Sequence, residues 1–190
     1  MKNKFFSIIF IIAGLFLFLG MSKYLIPEKA DTKRSMNAFV RYVIDGDTII
    51  LSNGEKVRFL GVDTPESYES EKLDRQAKEM RVSPGYVQEL GKKAKFFTEK
   101  YIDRREIILK FDKNNEKNNH RDKYGRLLAY VYILGEEKGD FNKANKDLVW
   151  VKIDGKDAVF LNASLIKSGN AEVSRFFQYE KKEEFLAIEK

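Results

Sequence analysis

The stretch Val43-Ile44-Asp45-Gly46-Asp47-Thr48-Ile49-Ile50-Leu51-Ser52-Asn53-Gly54-Glu55-Lys56-Val57-Arg58-Phe59-Leu60 decides the fold of this chain. Runs of β-branched residues in it are separated by two turn signals, Asp45-Gly46-Asp47 and Asn53-Gly54. The Asn-Gly pair is typical of a tight β-hairpin. The stretch therefore predicts three consecutive antiparallel strands, over residues 39–44, 48–51 and 56–62.

Short helices and further strands are predicted beyond this meander. Apolar residues at steps of three and four predict a short exposed helix within 67–82 and a longer helix that begins at Ser83-Pro84. Residues 112–121, which contain no apolar side chain, are predicted to form a mobile loop. A last short helix over 162–167 is expected to have Asn162 as its N-cap. Further β-rich runs lie at 106–111, 127–134, 149–153 and 158–160. Together these elements predict an α+β fold, a small barrel of about five strands with two to three helices.

An uncharged, apolar run occupies residues 5–22, directly after a basic N-terminus. Its length lies between a signal-peptide core and a membrane-spanning helix of ~18–20 residues. Residues 1–22 are therefore predicted to be either a signal peptide or a membrane anchor, and both alternatives place the rest of the chain outside the cytoplasm, extracellular or membrane-anchored. The polar residues 23–36 are predicted to be a linker, and residues 37–190 a single domain.

The composition excludes several kinds of chemistry. The 190 residues contain no cysteine and one histidine, His120, which excludes disulfide scaffolds, thiolate metal sites, cysteine nucleophiles and sites built from two imidazoles. Catalysis must then use carboxylates, guanidinium groups, hydroxyls and bound ions. The net charge of +6 weakly favours polyanionic binding partners, such as nucleic acid or anionic membranes.

Carboxylates and arginines gather at the predicted strand ends and turns. Asp47 and Asp63 fall near neighbouring strand ends, where two carboxylates and a backbone carbonyl can share a hard divalent cation. The forks of Arg58 and Arg126 bind phosphate bidentately, and Glu66 can orient or deprotonate a water. This set is suited to phosphodiester hydrolysis. The alternative is that these are ordinary solvated groups, since Asp in turns and Arg on strands often are.

Three segments, residues 43–48 (VIDGDT), 58–66 (RFLGVDTPE) and 122–130 (DKYGRLLAY), resemble the three motifs of the thermonuclease, or staphylococcal nuclease-like, family. The resemblance runs from about residue 39 to residue 173. It implies a five-stranded OB-fold Greek-key barrel and an exported, calcium-dependent nuclease without preference for the sugar. Such an enzyme cleaves DNA and RNA and leaves 3′-phosphate ends.

Carried over position by position, the resemblance also implies roles for single residues. Asp47 and Asp63 would bind Ca²⁺ through their carboxylates and Thr64 through its backbone carbonyl, with Asp45 just outside that shell. Glu66 would be the general base or water-orienting group, and Arg58 and Arg126 would stabilise the transition state from opposite sides. The implied substrate-binding residues are Lys123, Tyr124, Arg175 and Phe177. The last two stand where the family usually has tyrosines, so base stacking is retained at Phe177 while hydroxyl contacts to phosphate are lost.

Two other hypotheses compete with a nuclease. The chain could be a non-catalytic OB-fold module, tethered to the membrane, that binds nucleic acid or protein, or a membrane-anchored structural protein. The presence of the carboxylates and arginines favours the nuclease, with DNA and RNA as substrates and a monomer as the expected state. Segments 67–85 and 135–146 are longer than in compact family members and are predicted to border the substrate groove.

Overall fold

The computed structural model describes residues 34–135 and 141–189. The predicted signal or anchor segment and most of the predicted linker lie outside the described residues. The strands are β1 (Ser35–Asp45), β2 (Thr48–Leu51), β3 (Lys56–Phe59), β4 (Val62–Asp63), β5 (Glu106–Lys110), β6 (Leu127–Leu134), β7 (Trp150–Ile153), β8 (Lys156–Phe160) and β9 (Glu172–Val173). The α-helices are α1 (Glu71–Met80), α2 (Pro84–Ile102), α3 (Leu161–Lys167) and α4 (Lys182–Glu189), and a 3₁₀ helix spans Lys113–Asn118. Within the described residues, no helix combines the length and apolar character that crossing a membrane requires.

Five strands close into a barrel in the order β3-β2-β1-β5-β6. The neighbours in this order are antiparallel, and a parallel pairing of β3 with β6 completes the ring, with Val57 opposite Leu127. Strands β8 and β7 extend the sheet beyond β6, while β4 pairs separately with β9. The predicted α+β class and the OB-fold barrel are confirmed.

Alternation along β3 decides which side chains enter the core. Val57 and Phe59 are buried in the barrel, so Arg58 between them points away from the core and is only partly exposed. Successive strand residues face opposite sides of a sheet. The strand that completes the barrel therefore also presents an arginine on its other face.

The third strand of the predicted meander is interrupted, so the prediction of one strand over 56–62 was wrong. β3 ends at Phe59, Gly61 adopts a φ of +81°, and β4 begins at Val62. A Cβ at Gly61 would lie 2.6 Å from the ring of Tyr179 and 2.7 Å from that of Phe185. Glycine tolerates both the positive φ and the close approach of the rings. The turn reverses the chain toward the residues that follow β4.

Residues 113–118 form a 3₁₀ helix, so the prediction of a loop there was wrong. The helix is capped by Asp112, whose Oδ1 accepts a hydrogen bond from the backbone N–H of Asn114 at 2.8 Å. The Oδ2 atom of this fully buried carboxylate accepts from the Tyr130 hydroxyl at 2.5 Å and from the Glu180 N–H at 2.6 Å. These partners are distant in sequence, which is why the local pattern did not reveal the helix. Burial and the Asp112 carboxylate raise the pKa of Tyr130.

Asn162 is not an N-cap, which corrects the prediction for α3. The helix begins at Leu161, and its N-cap, Phe160, makes no side-chain capping bond. Asn162 is instead fully buried: its Oδ1 accepts from the Val131 N–H at 2.8 Å and its Nδ2 donates to the Leu60 carbonyl at 2.8 Å. One side-chain amide thus provides the hydrogen-bond partners of a backbone N–H in β6 and of a backbone carbonyl in the turn after β3.

The helices predicted on either side of residue 83 are confirmed. Ser83 caps α2, with its Oγ accepting from the Tyr86 N–H at 3.2 Å, and Pro84 is the first helical residue. The first strand begins at Ser35, so Ser35 and Met36, at the end of the predicted linker, belong to β1 and pair with Lys110 and Leu109.

We expect the substitution Asn162→Ala to lower the free energy of unfolding by about 2–4 kcal/mol, because it leaves a buried N–H and a buried carbonyl unpaired. Urea unfolding followed by circular dichroism measures the change. The control is Asn118→Ala, since Asn118 is exposed and its loss should alter the stability by less than ~0.5 kcal/mol. Equal stabilities of the two variants would contradict the bridging role of Asn162.

Candidate active site

A fully buried carboxylate, that of Asp47, lies in the turn between β1 and β2. Its Oδ1 accepts a hydrogen bond from the Thr48 hydroxyl at 2.9 Å and forms an ion pair with Arg58. Its Oδ2 accepts from the backbone N–H of Thr64 at 2.9 Å and from the Thr64 hydroxyl at 3.0 Å. A charge removed from water needs such partners, since an unpaired buried carboxylate is strongly unfavourable. Asp47 therefore fixes the loop after β4 against the β1–β2 turn.

The guanidinium group of Arg58 bridges the two predicted carboxylate ligands. One terminal nitrogen pairs with Asp47, and the other donates to Asp63 Oδ1 at 2.6 Å and to the Val62 carbonyl at 3.3 Å. Burial alone lowers the pKa of Arg58, but the charges of Asp47 and Asp63 outweigh it and raise the pKa overall. The structure thus brings together Asp47, Asp63 and Arg58 as the sequence predicts.

Lys72, on the first turn of α1, joins this cluster and was missed by the sequence analysis. Its Nζ lies 2.6 Å from Glu66 Oε1 and 3.1 Å from Asp63 Oδ1. Burial raises the pKa of Asp63, but Lys72 and Arg58 lower it to a value below normal. Nothing in the local sequence distinguishes Lys72 from the other lysines of a charged helix, so only the fold reveals its role.

Gln76, one turn further along α1, ties the helix to the loop that carries Glu66. Its Oε1 accepts from the Glu66 N–H at 2.9 Å, and its Nε2 donates to the Thr64 carbonyl at 3.4 Å. Helix α2 approaches the same loop at Gly91, where a Cβ would lie 2.4 Å from the Glu66 carbonyl group. The loop is therefore held between two helices, and Gly91 is small because the backbones nearly touch.

Negative charge is in excess around this cluster. Asp45, Asp47, Asp63 and Glu66 contribute carboxylates, whereas the ion-paired cations are Arg58 and Lys72. Burial, together with the charges of Asp47 and Glu66, raises the pKa of Asp45 to about 6. A further cation would relieve this repulsion.

The chemistry of the donor set fits a hard cation. Two carboxylates, those of Asp47 and Asp63, lie at the two ends of one guanidinium group, and the Thr64 carbonyl follows Asp63 directly. Oxygen donors of this kind are preferred by calcium. The described residues hold no group of three or more His, Cys, Asp or Glu side chains arranged around a single metal position. The acidic side chains bind Arg58 and Lys72 instead, so a metal ion would have to displace these nitrogens.

Arg126 lies one strand away, beside β3. Leu128, two residues after it, pairs with Arg58 in the parallel β3–β6 ladder. The guanidinium of Arg126 is held by Asp122, with Nε and Nη2 each 2.7 Å from Oδ2. Asp122 Oδ1 accepts from the N–H groups of Tyr124 and Arg126 and so shapes the turn before β6. The structure thus places Arg126 just before the strand that pairs with β3 and bonds its side chain to Asp122.

The predicted substrate-binding residues divide into two groups. Tyr124 is 72% exposed, and its ring centroid lies 5.0 Å from Lys123 Nζ and 5.4 Å from Arg126 Cζ, so these three side chains form one exposed surface. Arg175, in contrast, is bonded to Glu189 of α4 at 2.5 Å and to the Val173 carbonyl at 3.2 Å. Phe177 is 43% exposed and contacts Tyr179 edge-on, at 5.8 Å between ring centroids.

A model of the staphylococcal nuclease homologue family matches residues 56–190, which contain Arg58, Asp63, Glu66 and Arg126. The chain belongs to this family. The resemblance to this family that the three sequence motifs indicated is confirmed. The five-stranded barrel agrees with it.

Curated relatives agree with the family assignment. The chain is 35% identical to the uncharacterized protein MJ1439 of Methanocaldococcus jannaschii over 169 residues, which are 84% of this chain and 69% of that protein. It is 37% identical to the thermonuclease of Staphylococcus intermedius over 123 residues, 63% of this chain and 61% of the thermonuclease. It is 36% identical to the endonuclease YncB of Bacillus subtilis over 113 residues, 58% of this chain and 46% of YncB. The chain thus matches about half to two thirds of the lengths of the two relatives named as nucleases.

We expect Asp122→Asn, which keeps the shape of the side chain and removes its charge, to destabilise the chain by about 1–2 kcal/mol at pH 7. Burial raises the pKa of Asp122, but the bonds to Arg126 outweigh it and lower the pKa below 3.8. A carboxylate with a lowered pKa stabilises the folded chain above its unfolded pKa, and this stabilisation is lost as the pH falls through the folded value.

The penalty of Asp122→Asn should therefore be full at pH 7 and pH 5 and should shrink below about pH 3.8. Urea unfolding at each pH measures it. Asp147→Asn is the control, since Asp147 is exposed and forms no ion pair within residues 34–135 and 141–189. A penalty of constant size down to the lowest pH at which the chain stays folded would contradict the ionic role of Asp122.

Proposed function

We propose that this chain is a calcium-dependent, sugar-non-specific nuclease that hydrolyses phosphodiester bonds of DNA and RNA and leaves 3′-phosphate ends. The observation that carries the proposal is the convergence of Asp47, Arg58, Asp63 and Glu66, from two separate motifs, into one partly buried ion-pair cluster. Family membership, and the names of the staphylococcal thermonuclease and the Bacillus endonuclease, support nucleic acid as the substrate.

The side chains suit an in-line displacement at phosphorus. Glu66 orients a water and accepts one of its protons as the new P–O bond forms. The bond to the 5′ oxygen breaks, and that oxygen takes up a proton from solvent to leave as a hydroxyl. The forks of Arg58 and Arg126 hold the non-bridging oxygens, on which negative charge grows in the transition state. A calcium ion held by Asp47, Asp63 and the Thr64 carbonyl would neutralise part of the charge on a phosphate oxygen.

Substrate binding then requires an exchange of partners. Each arginine fork is now bonded to carboxylate oxygens, Arg58 to Asp47 and Asp63 and Arg126 to Asp122. Carboxylate and phosphate oxygens have similar spacing and charge, so a phosphate can replace one of these partners without a new side-chain geometry. The carboxylates thus keep the two guanidinium groups in a geometry that is suited to binding phosphate.

Exposed aromatic side chains favour an unpaired strand as substrate. Tyr124 is 72% and Phe176 93% exposed, and Phe177 lies beside Phe176. Stacking of a base on such a ring contributes ~1–3 kcal/mol and needs bases that are free of the duplex. Single-stranded or frayed nucleic acid should therefore be cleaved faster than stable duplex.

The apolar run 5–22 is the basis for proposals about location. We propose that it exports the domain or tethers it to the membrane, so that the nuclease acts outside the cytoplasm. A monomer is the expected state of the domain. Removal of this segment indicates a secreted enzyme, and its retention indicates an anchored one. N-terminal sequencing of the exported protein shows which of the two occurs.

The test of the nuclease is digestion of denatured DNA, duplex DNA and RNA by the full-length chain in calcium and in excess chelator. We expect cleavage only with calcium, and a loss of about 10²–10³-fold in rate for Arg126→Ala, the cost of removing one transition-state donor. Glu66→Gln should slow turnover with little effect on substrate binding. Arg75→Ala is the matched control, because Arg75 is exposed on α1 and forms no ion pair within the described part of the chain.

Full activity of Arg126→Ala would remove this arginine from the mechanism. Nucleic acid that is bound but left intact under every condition would instead favour the non-catalytic OB-fold module. A chain that binds neither calcium nor nucleic acid would fit the structural role.

A further inference from the structure

We propose that Lys72 is a built-in counter-ion of the active site that competes with calcium for Asp63 and so sets the calcium affinity of this chain. The inference rests on the proposed function of the same carboxylates. It assigns a positioning role to a residue outside the three sequence motifs.

Two cations converge on one carboxylate oxygen. Asp63 Oδ1 lies 2.6 Å from Arg58 Nη2 and 3.1 Å from Lys72 Nζ. The same ammonium lies 2.6 Å from Glu66 Oε1, so Lys72 links the predicted calcium ligand to the predicted base. A divalent cation on Asp63 would meet a positive charge already bonded to that oxygen, and like charges at such distances repel strongly.

The position of Lys72 is fixed by the packing of α1. Ser70 caps the helix, with its Oγ accepting from the Leu73 N–H at 3.1 Å. Leu73 and Ala77 are each 3% exposed and pack with the fully buried Val87 of α2 in a small separate core. Gln76 adds bonds from the same helix to the loop of residues 64–66. The Lys72 side chain is 31% exposed, so it is held at the cluster and is not a freely solvated surface lysine.

The charged groups that act most strongly on Lys72 within the described residues belong to the same cluster. The pKa of Lys72 is lowered by burial and by Arg58 but is raised overall by Asp63, Glu66 and Asp47. A lysine ammonium, whose ordinary pKa is about 10.4, carries its charge at neutral pH, where calcium would bind. Removing this charge leaves the carboxylates of Asp63 and Glu66 less neutralised. The folded, metal-free chain is then less stable, and the site attracts a divalent cation more strongly.

The test is isothermal titration of calcium chloride into the purified full-length chain and its variants. We expect Lys72→Met to bind calcium about tenfold more tightly than the wild type, the change that corresponds to loss of one ion-pair competitor of ~1.4 kcal/mol. Lys72→Gln is a second neutral variant in case Lys72→Met folds poorly. Lys72→Arg keeps the charge and should bind calcium as the wild type does. Lys78→Met is the matched control, since Lys78 lies on the exposed face of the same helix.

Thermal unfolding provides a readout that is independent of activity. In chelator, both neutral variants should melt below the wild type, and saturating calcium should raise their Tm by more than it raises that of the wild type, because a tighter ligand stabilises the folded state more. A purely structural lysine would lower Tm equally with and without calcium and would leave the Kd unchanged.

The possible results separate the two proposals. Neutral variants with the wild-type Kd, or a weaker one, would overturn the role of Lys72 while the nuclease stands if the wild type binds calcium and cleaves. If neither the wild type nor the neutral variants bind calcium up to about 10 mM, beyond the ~10⁻⁴–10⁻³ M range of weak calcium modules, both proposals are overturned. Binding by the neutral variants alone would support the competition and would overturn the calcium dependence proposed for the wild type.

Discussion

The burial of a single carboxylate, that of Asp47, constrains the rest of the molecule. A charge removed from water must be neutralised and hydrogen-bonded, and Asp47 obtains its partners from β2, β3 and the loop after β4. Alternation along β3 puts Arg58 on the face of the sheet opposite the core, and the turn at Gly61 brings Thr64 back to the second oxygen. The same contacts therefore join the candidate site to two strands of the barrel.

Much of the fold could be predicted because its signals are local. Asp45-Gly46-Asp47, Asn53-Gly54 and Ser83-Pro84 each mark a boundary through their own backbone chemistry, and the structure has boundaries there. The interruption of the third strand could not be predicted, because the rings packed on Gly61 belong to Tyr179 and Phe185. The buried roles of Asp112 and Asn162 likewise depend on residues distant in sequence.

Some residues of the candidate site could likewise be predicted from the sequence, and others could not. Asp47, Asp63, Arg58 and Glu66 stand in recognisable motifs, and the structure brings them together. Lys72 and Gln76 lie on a charged helix, where periodicity distinguishes only buried from exposed positions. Their bonds to Glu66 therefore could not be predicted from the sequence. For Arg126 and Arg175 the sequence gives the residue type but not the present partners, Asp122 and Glu189.

The contact between Gly61 and the segment before α4 also ties the candidate site to a distant part of the chain. The Tyr179 hydroxyl lies 3.2 Å from the Gly61 carbonyl oxygen across a separation of 118 residues, and the rings of Tyr179 and Phe185 pack over Gly61. Such a contact carries the loop-closure cost of a long segment, which a local turn does not have. The turn that carries Asp63 and Thr64 toward Asp47 is thus covered by residues that belong to none of the three motifs. The geometry of the candidate site therefore depends on a part of the chain that carries none of its charged groups.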